Sequence, residues 1–182
     1  MESLRGQVLI AAPSLLDPNF RRTVVFIAEH TEEGAMGLVL NRPAPTTVGE
    51  AVGDLDWLLD PDSPVFLGGP VRPEEAIVVA EFDEPAEDAA LVHEGIGFVS
   101  AEPDDPEATA AAVRRARLFA GFAGWGPGQL ESELDAPGWI TAPVQADDVF
   151  TEDADSLWAT VLRRKGREYA LLATMPPDPS LN

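Results

Sequence analysis

Cysteine is absent from the chain. That excludes disulfides, thiolate catalysis, zinc–cysteine sites and cysteine-ligated clusters together. Histidine is scarce, with only His30 and His93, whereas a zinc site of the usual kind needs three or four nitrogen or sulfur ligands. Cations are also few: 12 Lys and Arg stand against 32 Asp and Glu, a formal charge of −20. Such a chain repels phosphate backbones unless a local basic patch compensates. The best patch, Arg163, Arg164, Lys165 and Arg167, has no interleaved aromatic residue. It reads either as a nucleic-acid contact or as cations late in a helix, complementing its dipole. No run approaches the roughly 20 apolar residues that cross a bilayer. Val8 to Leu16 is interrupted by Pro13 and Ser14 and preceded by a single cation, Arg5, so it does not read as a secretion signal. A cytoplasmic chain with no membrane and no direct nucleic-acid partner is the expectation.

Several catalytic signatures are missing too. None of Ser3, Ser14, Ser63, Ser100, Ser132, Ser156 or Ser180 lies in a Gly-x-Ser-x-Gly elbow. There is no phosphate loop ending in Gly-Lys-Ser/Thr, and Gly95 with Gly97 lacks the third glycine of the dinucleotide fingerprint. The carboxylates match no calcium-loop spacing. No catalytic set is read, and neither a metal nor a cofactor is expected.

What is present is a chain of 182 residues, long enough for one hydrophobic core and cramped for two, so residues 1–182 read as a single domain. Its 45% hydrophobic and 24% charged residues are ordinary for a globular protein, so the net charge does not by itself imply disorder. Gln7 to Ala12, Thr23 to Glu29 and Met36 to Leu40 read as strands, the last two joined as a hairpin. Thr47 and Glu50 have capping-box spacing before a helical period running to Leu59. Val65 to Leu67, Ala76 to Phe82, Leu91 to His93 and Ile96 to Ser100 are further strands, with an acidic loop over Glu81 to Asp88. Pro106 to about Arg117 is an alanine-rich helix with arginines at its end. Leu118 to Phe122 is a strand leading into a bend at Gly124, Gly126 and Gly128, followed by a short helix over Gln129 to Leu134. Trp139 to Val144 is a strand, Ser156 to Lys165 a helix closed by Gly166, and Tyr169 to Thr174 a final strand. Mixed short strands and at least three helices in irregular order imply an α+β fold.

Two features invite a functional reading. His30 is either a general base with Glu29, Glu32 and Glu33 nearby, or a histidine that ends a strand and bonds the backbone. His93 sits in an apolar strand with no motif around it. Gly121 to Glu133, GFAGWGPGQLESE, combines glycines that admit close backbone approach with the flat face of Trp125 and the polar groups of Gln129, Glu131 and Glu133. Either the bend frames a ligand or partner, or Trp125 plugs the core at a tight crossover.

The order of these stretches carries a resemblance. GQVLIAAPSLLDPNFRRTVVFIAEH at Gly6 to His30, EGAMGLVLNRP at Glu33 to Pro43, FLGGPV at Phe66 to Val71, RLFAGFAGWGPGQLESEL at Arg117 to Leu134 and PSLN at Pro179 to Asn182 together resemble the AlgH/YqgE family of bacterial proteins. The resemblance covers essentially the whole chain. It implies a single α+β domain with a coiled, bifurcated or partly barrel-like mixed β-sheet surrounded by helices. It carries no agreed activity and no catalytic residues, although one branch is named for an apparent role in regulating alginate production.

Two functional hypotheses follow. The first is a non-catalytic regulatory or protein-interaction domain that engages an unidentified protein through the Gly124-Trp125-Gly126 bend. The second is a binding protein or enzyme for an anionic small molecule, with a pocket between Asn41, Arg42 and Pro43, the Gly68-Gly69-Pro70 turn, and the bend with Gly124, Trp125, Gly126, Gln129 and Glu131. There Arg42 and glycine amides would hold the anion; the alternative for Arg42 is a surface ion pair. Both hypotheses need the glycine segments to meet in space with Trp125 accessible.

Overall fold

Strand β1 (Gln7–Ala11) is buried from Val8 onward because a layer covers each of its faces. The computed structural model describes residues 2–84 and 90–177. β1 lies between β2 (Val24–Thr31) and β10 (Trp139–Pro143), antiparallel to both. β3 (Gly34–Val39) forms the hairpin with β2 and then pairs with the far end of β9 (Val113–Trp125). β9 continues along β6 (Val71–Phe82), and β8 (Ile96–Val99) and β7 (Ala90–His93) complete the row. The order is β10-β1-β2-β3-β9-β6-β8-β7. β4 (Pro43–Thr47) and β5 (Pro64–Leu67) branch from it, β5 running parallel to β9. The fold is α+β, a curled, open, largely antiparallel half-barrel with helices around it.

Alternation within the strands sorts the core. Val8, Ile10, Phe26 and Leu38 face α5 (Ala154–Lys165), whose Leu157, Trp158, Val161 and Leu162 are buried against them. Leu9, Ala11, Val25 and Ile27 face the opposite side, where α3 (Gln129–Leu134) contributes Leu130. A third cluster, with Val48, Leu55, Leu59 and Val65, fills the space beneath β4 and β5.

Two glycines set the branch point. Gly68 donates its N–H to Ala120 O of β9 and accepts from Val39 N–H of β3, so it stitches the two strands where their direct pairing ends. A Cβ on Gly68 would lie 2.2 Å from Gly121 O, and Gly121 itself has φ +68°. Gly68→Ala should therefore lower stability by about 1–3 kcal/mol through backbone displacement in a packed core, read as a shift in urea midpoint. An unchanged midpoint would mean the strands part there without cost.

Four expectations need correction. The helix after the Thr47–Glu50 capping box is present, but α1 (Val48–Ala51) lasts one turn; Leu55 and Leu59 reach the core from turns beyond it. Gly53, a poor helix former, follows its C-cap Val52. The alanine-rich helix α2 is confined to Pro106–Ala112, and Val113 to Arg117 belong to β9. Pairing with β6, including Arg115 opposite Glu81, outweighs the helical propensity of this stretch. Tyr169 to Thr174 is not a strand: α6 (Arg167–Leu172) packs Tyr169 and Leu172 on the core and exposes Leu171. β4 and α4 (Ala146–Val149) had no clear sequence signal. Of the acidic loop, Glu81 and Phe82 close β6, while residues 85–88 lie outside the described residues, as does the PSLN tail.

Candidate functional site

Trp125 ends β9 and is only 6% exposed. Its indole Nε1–H donates to Glu133 Oε2 at 3.0 Å, and Trp139 Nε1–H donates to the same oxygen at 3.0 Å. Phe20 stacks on Trp125 and meets Trp139 edge-on, closing an aromatic trio. Gln129 links the bend, its Oε1 accepting from Gly126 N–H and its Nε2–H donating to Glu133 Oε1. The residues of GWGPGQLESE thus form a polar clamp that lets large indoles be buried with every donor matched.

The other candidate residues are likewise committed. Glu131 Oε1 lies 3.2 Å from His30 Nε2, and His30 Nδ1 accepts from Leu4 N–H at 3.0 Å. That acceptor role places the proton of a neutral ring on Nε2, facing Glu131. His30 ties the N-terminal segment to α3, and both its ring nitrogens are occupied. His93 lies near Glu94. Asn41 accepts from Val24 N–H and donates to Arg22 O, while the Arg42 guanidinium donates to Pro18, Asn19 and Arg21 carbonyls. Burial lowers the Arg42 pKa, and Asp17 partly restores it. Gly68 and Gly69 do meet Gly121 and Phe122, but as backbone packed on backbone. Gly124 is an exposed residue of β9. The structure brings the Arg42 turn beside β5, since Leu67 N–H donates to Arg42 O, yet Trp125 belongs to the aromatic trio in the separate cluster around Leu9 and Trp139.

Half of the basic patch is committed, Arg163 and Arg167 being exposed on the surface. Arg164 grips Asp148 with both guanidinium nitrogens, and Lys165 donates to Thr141 O on β10 and sits over the Tyr169 ring. These side chains cover carbonyls of an edge strand that would otherwise invite pairing.

An open cleft of about 590 Å³ lies elsewhere, between the start of β9 and the segment from α4 to α5. Arg115 and Arg117 are two apart on β9 and so share one face of the strand. Arg115 lies over the Phe150 ring and bonds Glu81 at 2.6 Å and Asp147 at 2.8 Å. Burial acts to lower its pKa, but the hydrogen bonds it donates to Asp147 and Glu81 prevail and hold it above the ordinary value. Arg117 lies 4.1 Å over the Phe66 ring and donates to Val149 O at 3.1 Å. Among the described residues no carboxylate forms an ion pair with it. Burial, reinforced by the charge of Arg115 and opposed by Glu152, brings its pKa down to about 10, so it remains cationic at neutral pH. Thr151, Glu152 and Asp153 line the same cleft. Sequence reading missed this cleft because Arg115 and Arg117 were absorbed into a helix end; their spacing of two was the available signal, once the stretch is a strand.

Among the described residues no group of three or more acidic or histidine side chains is placed to hold a metal ion, and no helix is long and apolar enough to cross a membrane.

A family model described as AlgH-like (DUF179) matches residues 8–170. The chain belongs to the AlgH-like family. Relatives include a UPF0301 protein of Streptomyces coelicolor, 46% identical over 188 residues and covering 100% of this chain and 97% of the relative. A UPF0301 protein of Chlorobaculum tepidum is 36% identical over 180 residues, covering 97% of this chain and 95% of the relative. The crystal structure of a Corynebacterium diphtheriae protein superposes with TM-score 0.86 at 28% identity, covering 96% of this chain and 94% of that one. The solution structure of AlgH from Pseudomonas aeruginosa superposes with TM-score 0.71 at 30% identity, covering 97% and 98%. These AlgH-like relatives share the architecture, and their names carry no reaction.

Proposed function

We propose that this AlgH-like protein is a non-catalytic, regulatory binding protein that takes a small ligand by its carboxylate at Arg117. One observation carries the reading: in a chain of net charge −20, a half-buried guanidinium faces an open cleft with a carbonyl, and no carboxylate, as its bonded partner. Arginine has five N–H donors in a rigid fork suited to a carboxylate, and beyond the bond to Val149 O the Arg117 donors stay open to solvent and to a ligand. Non-catalytic action is supported by the commitment of candidate groups elsewhere in the chain, none of which lines the cleft. His30 has both ring nitrogens bonded, and the Ser3 and Ser14 hydroxyls donate to backbone carbonyls. The burial of Trp125 favours a site away from the glycine-rich bend. The cysteine-free composition supports a cytoplasmic setting.

The test is an NMR titration with simple carboxylates and, separately, inorganic phosphate. Carboxylates should shift the amides of Ala116, Arg117, Phe150 and Thr151. Arg117→Met, which keeps an apolar chain over Phe66, should weaken binding about tenfold or more, the value of a charge-assisted pair of hydrogen bonds. Equal binding by the variant, or no shift in these amides with any carboxylate, would reject the site.

A further inference from the structure

The charges lining the cleft define the ligand more narrowly, on the premise that Arg117 is the anchor. Arg115 is already engaged, its guanidinium shared between Glu81 and Asp147, which leaves that group with an excess negative charge. That leaves Arg117, Glu152 and Asp153 as the remaining charged residues of the lining. Glu152 is exposed and close enough for its charge to act on Arg117. Asp153 spends Oδ1 on the N–H of Ser156, where it caps α5, and a carboxylate accepts more bonds than that one.

A simple anion entering here gains one cation but meets two carboxylates within a strongly negative protein. A dianionic phosphate meets the same repulsion twice over. A simple cation is turned away by Arg117. A molecule with a carboxylate and an ammonium group a few bonds apart converts every one of these charges into an attraction, and it enters with no net charge. Phe150, beneath the Arg115 guanidinium, is the large apolar residue of the lining, and about 590 Å³ falls within the range of small-molecule sites.

We infer that the cleft binds a zwitterion of the amino-acid class, a free amino acid or short peptide with both termini unblocked, its carboxylate on Arg117 and its ammonium between Glu152 and Asp153.

Calorimetric titration of the full chain with three matched probes tests this: the dipeptide alanyl-phenylalanine, its N-acetyl form, which is only an anion, and its C-terminal amide, which is only a cation. The free dipeptide should bind about fivefold or more tightly than either blocked form, the factor set by roughly 1 kcal/mol for exposed charge pairs. Glu152→Gln combined with Asp153→Asn, which keeps a capping acceptor for Ser156 N–H, should erase the preference over the N-acetyl form while leaving melting behaviour nearly intact. If the N-acetyl dipeptide binds as well as the free one, the zwitterion inference falls and the Arg117 carboxylate site stands. If the amide binds best, or nothing binds, both fall.

Discussion

Replacing Arg164 with alanine should lower stability by about 3 kcal/mol, measured by urea unfolding. Asp148 is the reason: its side chain is 3% exposed, and Arg164 reaches it from α5 with contacts of 2.8 and 2.6 Å. Asp148 also caps α4, accepting from Gln145 N–H at 2.9 Å. Removing one partner of a buried pair leaves an uncompensated charge at a cost of about 3–5 kcal/mol. The lower figure applies because the Arg164 side chain is 28% exposed, which lets water reach the vacated side. The double variant Asp148→Asn with Arg164→Met should recover at least half of the loss, since an amide oxygen still caps Gln145 and no charge remains buried. A single variant within about 0.5 kcal/mol of the parent, the range of ordinary surface changes, would show that the pair does not hold α4 to α5.

Glu133→Ala should cost about 2–4 kcal/mol and perturb tryptophan fluorescence in the native state. One carboxylate oxygen serves both Trp125 and Trp139, and the other serves Gln129. Truncation strands two indole donors, each largely buried, at about 1–3 kcal/mol apiece with partial relief from water. Glu133→Gln retains an acceptor oxygen and should cost clearly less. If alanine and glutamine variants unfold at the same midpoint, the hydrogen bonds are not what the carboxylate contributes, and packing of the α3 stem carries the effect.

The fold was most legible where both faces of a strand are covered. Val8 to Ala11 and Val24 to Ala28 are near-continuous apolar runs because α5 lies on one side and the Trp125–Trp139 cluster on the other. Thr47 and Glu50 form the capping box their spacing announces. Reading failed where local preference and tertiary pairing disagree. Val113 to Arg117 has helix-forming neighbours, yet it pairs with Val79 to Phe82 at the end of β6. Tyr169 to Leu172 is a short apolar run that fits strand or helix equally, and packing against α5 selects the helix.

The glycine-tryptophan bend shows the same division at the level of function. Of its glycines, Gly121 meets backbone closely and has φ +68°, Gly128 has φ +71°, and Gly124 and Gly126 show neither feature. Composition says nothing about which way an indole turns, and here it turns inward onto Glu133.

By itself the sequence determined the absence of thiol chemistry, the repulsion of polyanions and the alternation that builds the two-sided sheet, because these depend on composition and on spacing along one strand. The tertiary structure alone decided that Arg115 is paired with carboxylates and Arg117 is not. Arg115 and Arg117 are chemically alike and two residues apart, but β6 and α4 place Glu81 and Asp147 against the first and only the Val149 carbonyl against the second. Charge pairing is a matter of distance through space, and distances between strands are set by sheet register, which no local pattern encodes.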